Sequence, residues 1–441
     1  MKNNTVLGTG KYMTTQDISP SAGEKTDNVF YGWIILATVL IIGSILAGVR
    51  DSFSVFFKSL AAEFNLSRAE TSSIYSLNAL FSTIFLFVKG WAVDRYEPRF
   101  VITLMGLFTG LGLLITSQTN ALWQLYISYS VLMSLGTVGG ITVFAPVISR
   151  WFHKNRGFAL GVISSSMGLG TIVVAPFAGY LILNYRWRMT YILMGLLTLV
   201  MVPALAMFVK KGPEEIDALS KGSKSSAGRN TVALHRLDEE NSDLAGPSLK
   251  AASKMRDFWL ISSFWSLFAV AWGIISSHIV PCATDRGIST IEAATILSIM
   301  SGSQILARLS VGRAMDMMGG KIPCVICALF GAGAMTLLIW SNELWMFYIF
   351  AAFFGFSFGG TSVIVLALVG NIFGKRSLGV ITAAIYCGFS IGVAFGSTFA
   401  GHIFDITQSY TNVFIIGAIA LLLIVPLAIS LEHERVSWGD A

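Results

Sequence analysis

Long apolar segments recur along the whole 441-residue chain and constrain its fold more than any single motif. Each segment ends at charged residues, proline or a polar cluster, and most are long enough to cross the roughly 30 Å hydrocarbon core of a bilayer as a helix. Charged residues make up only 12% of the chain, about half the share found in a soluble protein. We therefore predict an all-α polytopic membrane protein with twelve transmembrane helices. The predicted spans are residues 29–57, 70–92, 99–117, 122–150, 156–184, 187–209, 256–283, 290–318, 321–341, 344–373, 377–405 and 411–431.

A polar stretch rich in Ser, Lys, Glu and Gly divides these segments into six and six. The predicted units are a cytoplasmic N-tail (1–28), an N-terminal six-helix bundle (29–209), a cytoplasmic linker (210–255), a C-terminal six-helix bundle (256–431) and a C-tail (432–441). With the N-terminus inside, 22 of the 30 Lys and Arg residues fall in cytoplasmic loops and tails, as the positive-inside rule requires. The net charge of +6 is therefore loop charge, and we expect no nucleic-acid partner. We expect a protein of the plasma (bacterial inner) membrane with both termini cytoplasmic.

The two sets of six segments share one register. Gly90 and Asp94 recur as Gly312 and Asp316, at an offset of 222 residues. The same offset relates four further pairs: Glu63 and Asp285, Glu70 and Glu292, Tyr126 and Tyr348, and Gly179 and Gly401. One register held across five helices predicts two pseudo-symmetric six-helix bundles. Such internal repeats are typical of transporters that bind their cargo near the midplane, between the repeats.

Arg308 is the least expected residue in its surroundings, because it lies inside the predicted span 290–318. A guanidinium at that depth is costly, so it normally faces a water-filled cavity and has a function. Its repeat position is Leu86, so the scaffold does not require the charge. A planar guanidinium binds a carboxylate bidentately and keeps its charge, which predicts an anchor for an anionic substrate. The alternative is a structural arginine paired with a helix end or a buried carboxylate.

Five other polar residues are candidate substrate-binding residues, and four of them have a structural alternative. Asp51, about 12 Å from the middle of its predicted span, is either a protonatable group or half of a permanent ion pair with the preceding arginine. Gln304 lies one turn before the membrane arginine and is placed to orient it. His278 either titrates or donates to a substrate carbonyl, or it forms a hydrogen bond at a helix end. Asn78 and Tyr386 either line the cavity or make interhelical contacts.

One loop motif resembles the signature of the major facilitator superfamily. Gly90, Asp94, Arg95 and Arg99 match it after the second predicted span, and the repeat at Gly312 and Asp316 is a weaker copy. The resemblance implies the major facilitator fold, with two six-helix bundles. We expect these charges to form an inner-side gate, and the alternative is an ordinary surface loop.

Within that superfamily the chain resembles the monocarboxylate transporter and oxalate–formate antiporter branch of bacterial type. Gly32-Trp33, the segment from Trp151 to Arg156, the segment from His278 to Gly287, and Ala307-Arg308 carry this likeness. It implies a secondary active transporter, not an enzyme, that moves small monocarboxylates such as lactate or pyruvate by alternating access. A co-transported proton is also implied, and Arg308 is implied as the partner of the substrate carboxylate.

The chain differs at three places from the branch that it resembles. Gln304 stands where animal members have an aspartate, and Asp51 stands where they have a lysine. The eleventh span, Ser377 to Asp405, lacks the second cation of oxalate carriers. A dicarboxylate would therefore lack a second anchor, which favours a monocarboxylate.

Two other functions stay open at this point. One is a proton-independent organic anion exchanger of the oxalate–formate type, and the other is a membrane sensor that keeps the carrier fold. We expect no cofactor and no metal. The expected partners are a small organic anion, a proton and the lipid bilayer, and we expect a monomer or a loose dimer.

Overall fold

A computed structural model describes residues 22–137, 140–152, 156–210, 247–374 and 378–430. Within these ranges it also describes the side chains, except those of residues 22–30, 94, 140–142, 156, 316 and 378. Most of the predicted tails and linker (1–28, 210–255 and 432–441) lies outside the described residues. The division into tails, bundles and linker therefore stays a prediction.

Every regular element of the described chain is helical. In order, the α-helices are α1 (Ala22–Asp51), α2 (Phe53–Phe64), α3 (Arg68–Arg95), α4 (Pro98–Ser117), α5 (Leu122–Leu125), α6 (Met133–Thr137), α7 (Gly140–Trp151), α8 (Arg156–Ala206), α9 (Leu249–Ala252), α10 (Arg256–Asp285), α11 (Thr290–Met318), α12 (Lys321–Leu337), α13 (Leu344–Phe373), α14 (Leu378–Thr407), α15 (Thr411–Leu422) and α16 (Ile424–Ile429). A π-helical segment, Tyr126–Leu132, joins α5 to α6.

Among the described residues, nine helices are long and apolar enough to cross a membrane. The longest of them, Gly157–Ala206, is two spans, because Arg186 interrupts it with φ 65° and ψ 163°. Lys321–Leu337 is a shorter apolar helix, and the broken stretch from α5 to α7 supplies one more crossing. These elements together make the twelve predicted spans, and the predicted fold class is confirmed.

Matching N-terminal caps show the repeat in the structure. α3 begins with a capping box in which the Ser67 side chain accepts from the Glu70 amide and Glu70 accepts from the Ser67 amide. α11 begins with the same box, formed by Ser289 and Glu292 at the 222-residue offset. Each box satisfies helix amides that have no partner within the helix, so both halves use the same helix start.

A pair of tyrosines repeats in the same way. The Tyr126 hydroxyl lies 2.7 Å from the Ser73 hydroxyl, and the Tyr348 hydroxyl lies 2.8 Å from the Thr295 hydroxyl. In each half, the contact joins the helix that follows the capping box to the helix two crossings later. The sequence repeat is therefore a repeat of packing as well as of spacing. We refer below to the N-terminal half, α1–α8, and the C-terminal half, α9–α16.

A stripe of glycines lets α14 pack directly on the backbone of α10. A Cβ added to Gly392 would lie 2.5 Å from the Ser266 carbonyl oxygen, and one added to Gly396 would lie 2.2 Å from that of Val270. These approaches leave no room for a side chain. Close packing of this kind holds membrane helices together where water exclusion gives no driving force.

We expect Gly396→Ala to destabilise the protein by about 1–3 kcal/mol, because the added methyl group must displace backbone atoms. The measurement is the apparent melting temperature of purified protein in detergent. Gly333→Ala on α12 is the matched control, since a Cβ there meets nothing within 4 Å. Equal melting temperatures for the two variants would contradict the packing described for α14.

Candidate functional site

A cavity lies where the two halves meet, near the middle of the spans. The space inside it, open solvent included, is about 290 Å³. Both halves contribute to its wall. The lining residues are Asp51, Tyr75 and Thr171 from the N-terminal half and Trp272, Ser276, Leu297, Met300, Ser301 and Gln304 from the C-terminal half.

Asp51 is held by two partners within its own half. Its Oδ1 lies 2.8 Å from Nε of Arg50, and its Oδ2 accepts a hydrogen bond of 3.1 Å from the Thr171 hydroxyl. The first span runs on to Phe64, further than the sequence predicts, so Asp51 lies only about 5 Å from its centre. The carboxylate is therefore a cavity residue near mid-membrane and already has a cationic partner.

Gln304 and Arg308 occupy successive turns of α11. Gln304 is buried and lines the cavity. Arg308 is half-buried, and its Nη1 donates a hydrogen bond of 2.7 Å across the interface to the Ser164 carbonyl oxygen on α8. It forms no ion pair among the described residues, although Tyr386 and Asp51 act on it electrostatically. The alternative prediction, that Arg308 pairs with a buried carboxylate, therefore has no support in the described part of the chain. Its hydrogen-bond acceptor is a backbone carbonyl oxygen of a helix.

Tyr386 and Asn78, two of the predicted binding residues, lie in different surroundings. Tyr386 on α14 is partly buried, packs edge-to-face on Trp265 and lies within electrostatic range of Arg308. Asn78 on α3 is buried and donates a hydrogen bond of 2.9 Å to the Tyr129 carbonyl oxygen. Asn78 therefore makes an interhelical contact inside the N-terminal half and does not line the cavity.

His278 lies on α10 between the cavity and the far end of the helix. It is fully buried, with Nε2 at 2.9 Å from the Ser72 hydroxyl and 3.0 Å from the Ser397 carbonyl oxygen. Its Nδ1 lies 3.1 Å from the Tyr410 hydroxyl. His278 thus bridges the two halves outside the cavity, and both of its ring nitrogens have protein partners.

Beyond His278, charged groups join the halves at one end of the bundle. We call Lys58, Arg68, Asp285 and Asp405 the latch. Asp285 accepts from both cations, with Nζ of Lys58 and Nη2 of Arg68 each at 2.7 Å. Asp405 accepts hydrogen bonds of 2.9 Å from the amides of Arg68 and Ala69, so a C-terminal-half carboxylate caps the positive end of an N-terminal-half helix.

The latch has no counterpart at the equivalent positions of the repeat. Glu63, the repeat partner of Asp285, pairs with Arg188 at 3.1 Å inside the N-terminal half. The repeat partner of Asp405 is Leu183, which is exposed. The charged contact between the halves therefore forms on one side of the pseudo-symmetry axis.

Hydrogen bonds between described residues of the two halves end partway along the helices. The last ones towards the other end join Thr83 to Ser390 and Arg308 to Ser164. Further along, a Cβ added to Gly90 or to the two glycines after Arg156 would meet nothing within 4 Å. The hydrogen bonds and ion pairs between described residues of the two halves therefore lie at the latch end and in the middle of the bundle, and we call the end that carries the loop motif the separated end.

The predicted gating motif lies at this separated end. Arg95 and Arg99 are exposed, and Arg99 pairs with Glu97 at 2.5 Å. A Cβ added to Gly312 would meet only Val363 at 3.9 Å. The side chains of Asp94 and Asp316 lie outside the described residues, so the gate formed by these motif carboxylates stays a prediction.

Comparison with known proteins identifies the family. The model of the Major Facilitator Superfamily matches residues 39–320 and 266–440. The chain belongs to the major facilitator superfamily. It is a membrane transporter by family and not an enzyme, as the sequence predicts.

Among the curated relatives of this superfamily member are several monocarboxylate transporters. Monocarboxylate transporter 13 of Rattus norvegicus is 23% identical over 412 residues (91% of this chain, 89% of the relative), and that of Bos taurus is 25% identical over 423 residues (91% and 90%). Monocarboxylate transporter 2 of Homo sapiens is 23% identical over 408 residues (89% and 83%). These similarities confirm the predicted branch.

A solved structure of similar fold is a bacterial homolog to the human lysosomal transporter Spinster, in an inward-facing and occupied conformation. Its TM-score is 0.68 at 14% sequence identity, over 90% of this chain and 96% of that chain. The unoccupied form gives a TM-score of 0.66 at 15% identity. The likeness supports the major facilitator fold.

Sequence reasoning missed most of the cavity wall and the role of the latch. Tyr75, Trp272 and the cavity hydroxyls are ordinary residues in apolar helices, and no sequence pattern distinguishes them from packing residues. One usable signal did exist for the latch. Asp405 is a carboxylate whose repeat position is apolar, which marks a charge that the repeated scaffold does not need.

We expect Asp285→Asn to open the latch end of this superfamily member, because Lys58 and Arg68 both lose their ionic partner. The readout is the labelling of Ser276→Cys by a membrane-impermeant maleimide added on the latch side, in a background with the native cysteines replaced. Labelling should rise about 2- to 10-fold, the size expected from losing partly exposed ion pairs. Glu63→Gln, which removes the repeat-related carboxylate, is the matched control and should leave labelling unchanged. Equal labelling in Asp285→Asn and the parent would refute the latch.

Proposed function

We propose that the protein is a secondary active transporter of small monocarboxylates such as lactate or pyruvate, working by alternating access. One observation carries the proposal: Arg308 lies at the interface one turn from the cavity residue Gln304 and forms no ion pair among the described residues. A carboxylate is the group that such a guanidinium binds best, through two parallel hydrogen bonds. The relatives named monocarboxylate transporters support the same substrate class.

The charge of Arg308 explains why the loaded carrier crosses more easily than the empty one. In the absence of substrate, its hydrogen bond to the Ser164 carbonyl oxygen neutralises none of the charge. A bound carboxylate cancels the charge, which lowers the cost of closing the cavity around it. Substrate therefore favours the occluded state between the two open ones, and a difference of a few kcal/mol is sufficient.

The position of the Arg308 hydrogen bond couples the binding of a carboxylate to movement of the two halves. Ser164 belongs to the N-terminal half and Arg308 to the C-terminal half, and among the described residues theirs is the last hydrogen bond between the halves on that side. A carboxylate that takes over the guanidinium would replace this contact and free α8 from α11. Substrate binding and the rearrangement of the halves thus involve the same hydrogen-bond donor.

The sides of the membrane follow from the charge distribution. With both termini in the cytoplasm of the cell, the latch faces outwards and the motif with Gly90 faces inwards. The described conformation is then open to the inside and closed outside by the latch and His278. In the alternate state we expect the latch to separate and the Asp94 and Arg95 motif to close the inner side.

Proton coupling through Asp51 is part of the proposal. Asp51 lines the cavity and lies in electrostatic range of Arg308, so a proton on it would balance the negative charge of a bound carboxylate. One observation favours the second candidate, anion exchange without a proton. The Asp51 carboxylate is already paired with the Arg50 cation at 2.8 Å, so its charge is balanced without a proton.

We expect Arg308→Ala to lower uptake of lactate by at least about 30-fold, since truncating one member of a desolvated charge pair costs about 2–5 kcal/mol. Arg308→Lys keeps the charge but loses the bidentate geometry, so it should retain a small fraction of the activity. Uptake into cells or proteoliposomes is the measurement, normalised to the amount of protein in the membrane. Near-normal uptake by a well-expressed Arg308→Ala variant would end the proposed anchor role.

We expect Asp51→Asn to abolish the acceleration of uptake by an inward pH gradient while exchange of internal for external lactate continues. A pH jump across proteoliposomes, with and without internal lactate, measures both processes. Thr171→Val is the matched control, because it removes a hydrogen bond to Asp51 and leaves the carboxylate. If Asp51→Asn keeps full pH-driven uptake, Asp51 does not carry the proton. If the unmodified protein exchanges lactate but ignores the pH jump, the exchanger is the correct candidate.

A further inference from the structure

We propose, on the basis of the proposed function, that Trp272 limits the size of the transported acid. The indole forms one wall of the substrate cavity and restricts transport to short aliphatic acids. Acids with a bulky or aromatic tail are excluded by this wall and not by the carboxylate site.

The position of Trp272 places it within reach of the tail of a bound acid. It lies at the middle of α10 and lines the same cavity as Gln304, which lies at the middle of α11. Arg308, the proposed carboxylate anchor, lies one turn beyond Gln304, towards the separated end of the bundle. An acid with its carboxylate at Arg308 therefore extends its tail into the cavity, towards the closed end and Trp272.

The indole is fixed on the side away from the cavity. It stacks on Phe358 with ring centroids 3.9 Å apart at 14°, and it lies nearly parallel to Phe354 at 6.3 Å. The backbone next to it is held as well, because a Cβ on Gly273 would lie 2.3 Å from the Val393 carbonyl oxygen. A longer substrate tail cannot push this wall back without moving α13 or α14.

The N-terminal half closes the space beside the indole. The Tyr75 hydroxyl faces the side chains of Trp272 and Ser276, so the two halves meet over the cavity at these three residues. Leu297 and Met300 are almost fully buried beneath them. The tail of the acid is therefore enclosed by large side chains, and the indole is the largest group in the wall.

The test compares counterflow of lactate, 4-methyl-2-oxopentanoate and phenylpyruvate in proteoliposomes. The unmodified protein should prefer lactate, since one methylene too many in a closed pocket costs about 10-fold or more in discrimination. Trp272→Ala should shift the ratio of phenylpyruvate to lactate transport upwards by at least about 10-fold. Trp272→Phe keeps a stacked ring of smaller size and should give an intermediate shift towards 4-methyl-2-oxopentanoate.

Trp265→Phe is the matched control on the same helix. Trp265 is fully buried, stacks on Phe389 at 4.5 Å and does not line the cavity, so this change should leave the substrate ratio unaltered. Because the readout is a ratio within one variant, a partial loss of folded protein does not change it. If Trp272→Ala folds poorly, Trp272→Phe alone decides the question.

Two results would refute the role of Trp272, and a third would refute the proposed function. Unmodified protein that carries phenylpyruvate as well as lactate, or Trp272 variants with an unchanged ratio, would show that the indole sets no size limit. Failure of the unmodified protein to move any of the three acids would instead refute the proposed function itself.

Discussion

The structure depends on one uncancelled charge near the middle of a membrane. Arg308 is half-buried at the interface, and among the described residues its contact is a backbone carbonyl, not a carboxylate. Keeping a guanidinium there without a counter-ion is costly, which is why we propose a small anion as its partner. The cavity beside it, the contact to the opposite half and the latch at the closed end all have a role once an anion completes the charge pair.

The two halves share repeated packing features, but the charged contacts between them are not repeated. Features that fold each half recur at the same offset, as in the capping boxes of Ser67 and Ser289 and the tyrosine contacts of Tyr126 and Tyr348. The charged contacts at the interface do not recur among the described residues. Their repeat positions differ in charge or in partner: Arg308 with Leu86, Asp405 with Leu183, and Asp285 with Glu63. The two repeated bundles therefore form the framework. The charges without a repeat counterpart supply the proposed anion site and the ion pairs that close the latch end.

The sequence was sufficient for the fold but not for the cavity, and the anchor role of Arg308 stays a prediction. Spans follow from hydropathy, and the repeat follows from a fixed offset, both of which are visible along one chain. Arg308 stands out because charge is rare in lipid. The hydrogen-bond partners of a polar side chain cannot be predicted from hydropathy or from the repeat. Asn78 forms its hydrogen bond within its own half, and His278 bridges the halves at the closed end. The depth of Asp51 was misjudged because its helix continues to Phe64. Trp272 resembles any packing aromatic until its neighbours are known.

The central claim is that the site binds an anion through charge neutralisation and not through shape alone. Lactate and lactamide have nearly the same shape but differ in charge, so they separate the two contributions. Calorimetric titration of the purified protein with each compound is the most direct measurement. The account predicts that lactate binds with measurable heat and that lactamide gives none at the same concentrations. Equal binding of lactamide and lactate would contradict it.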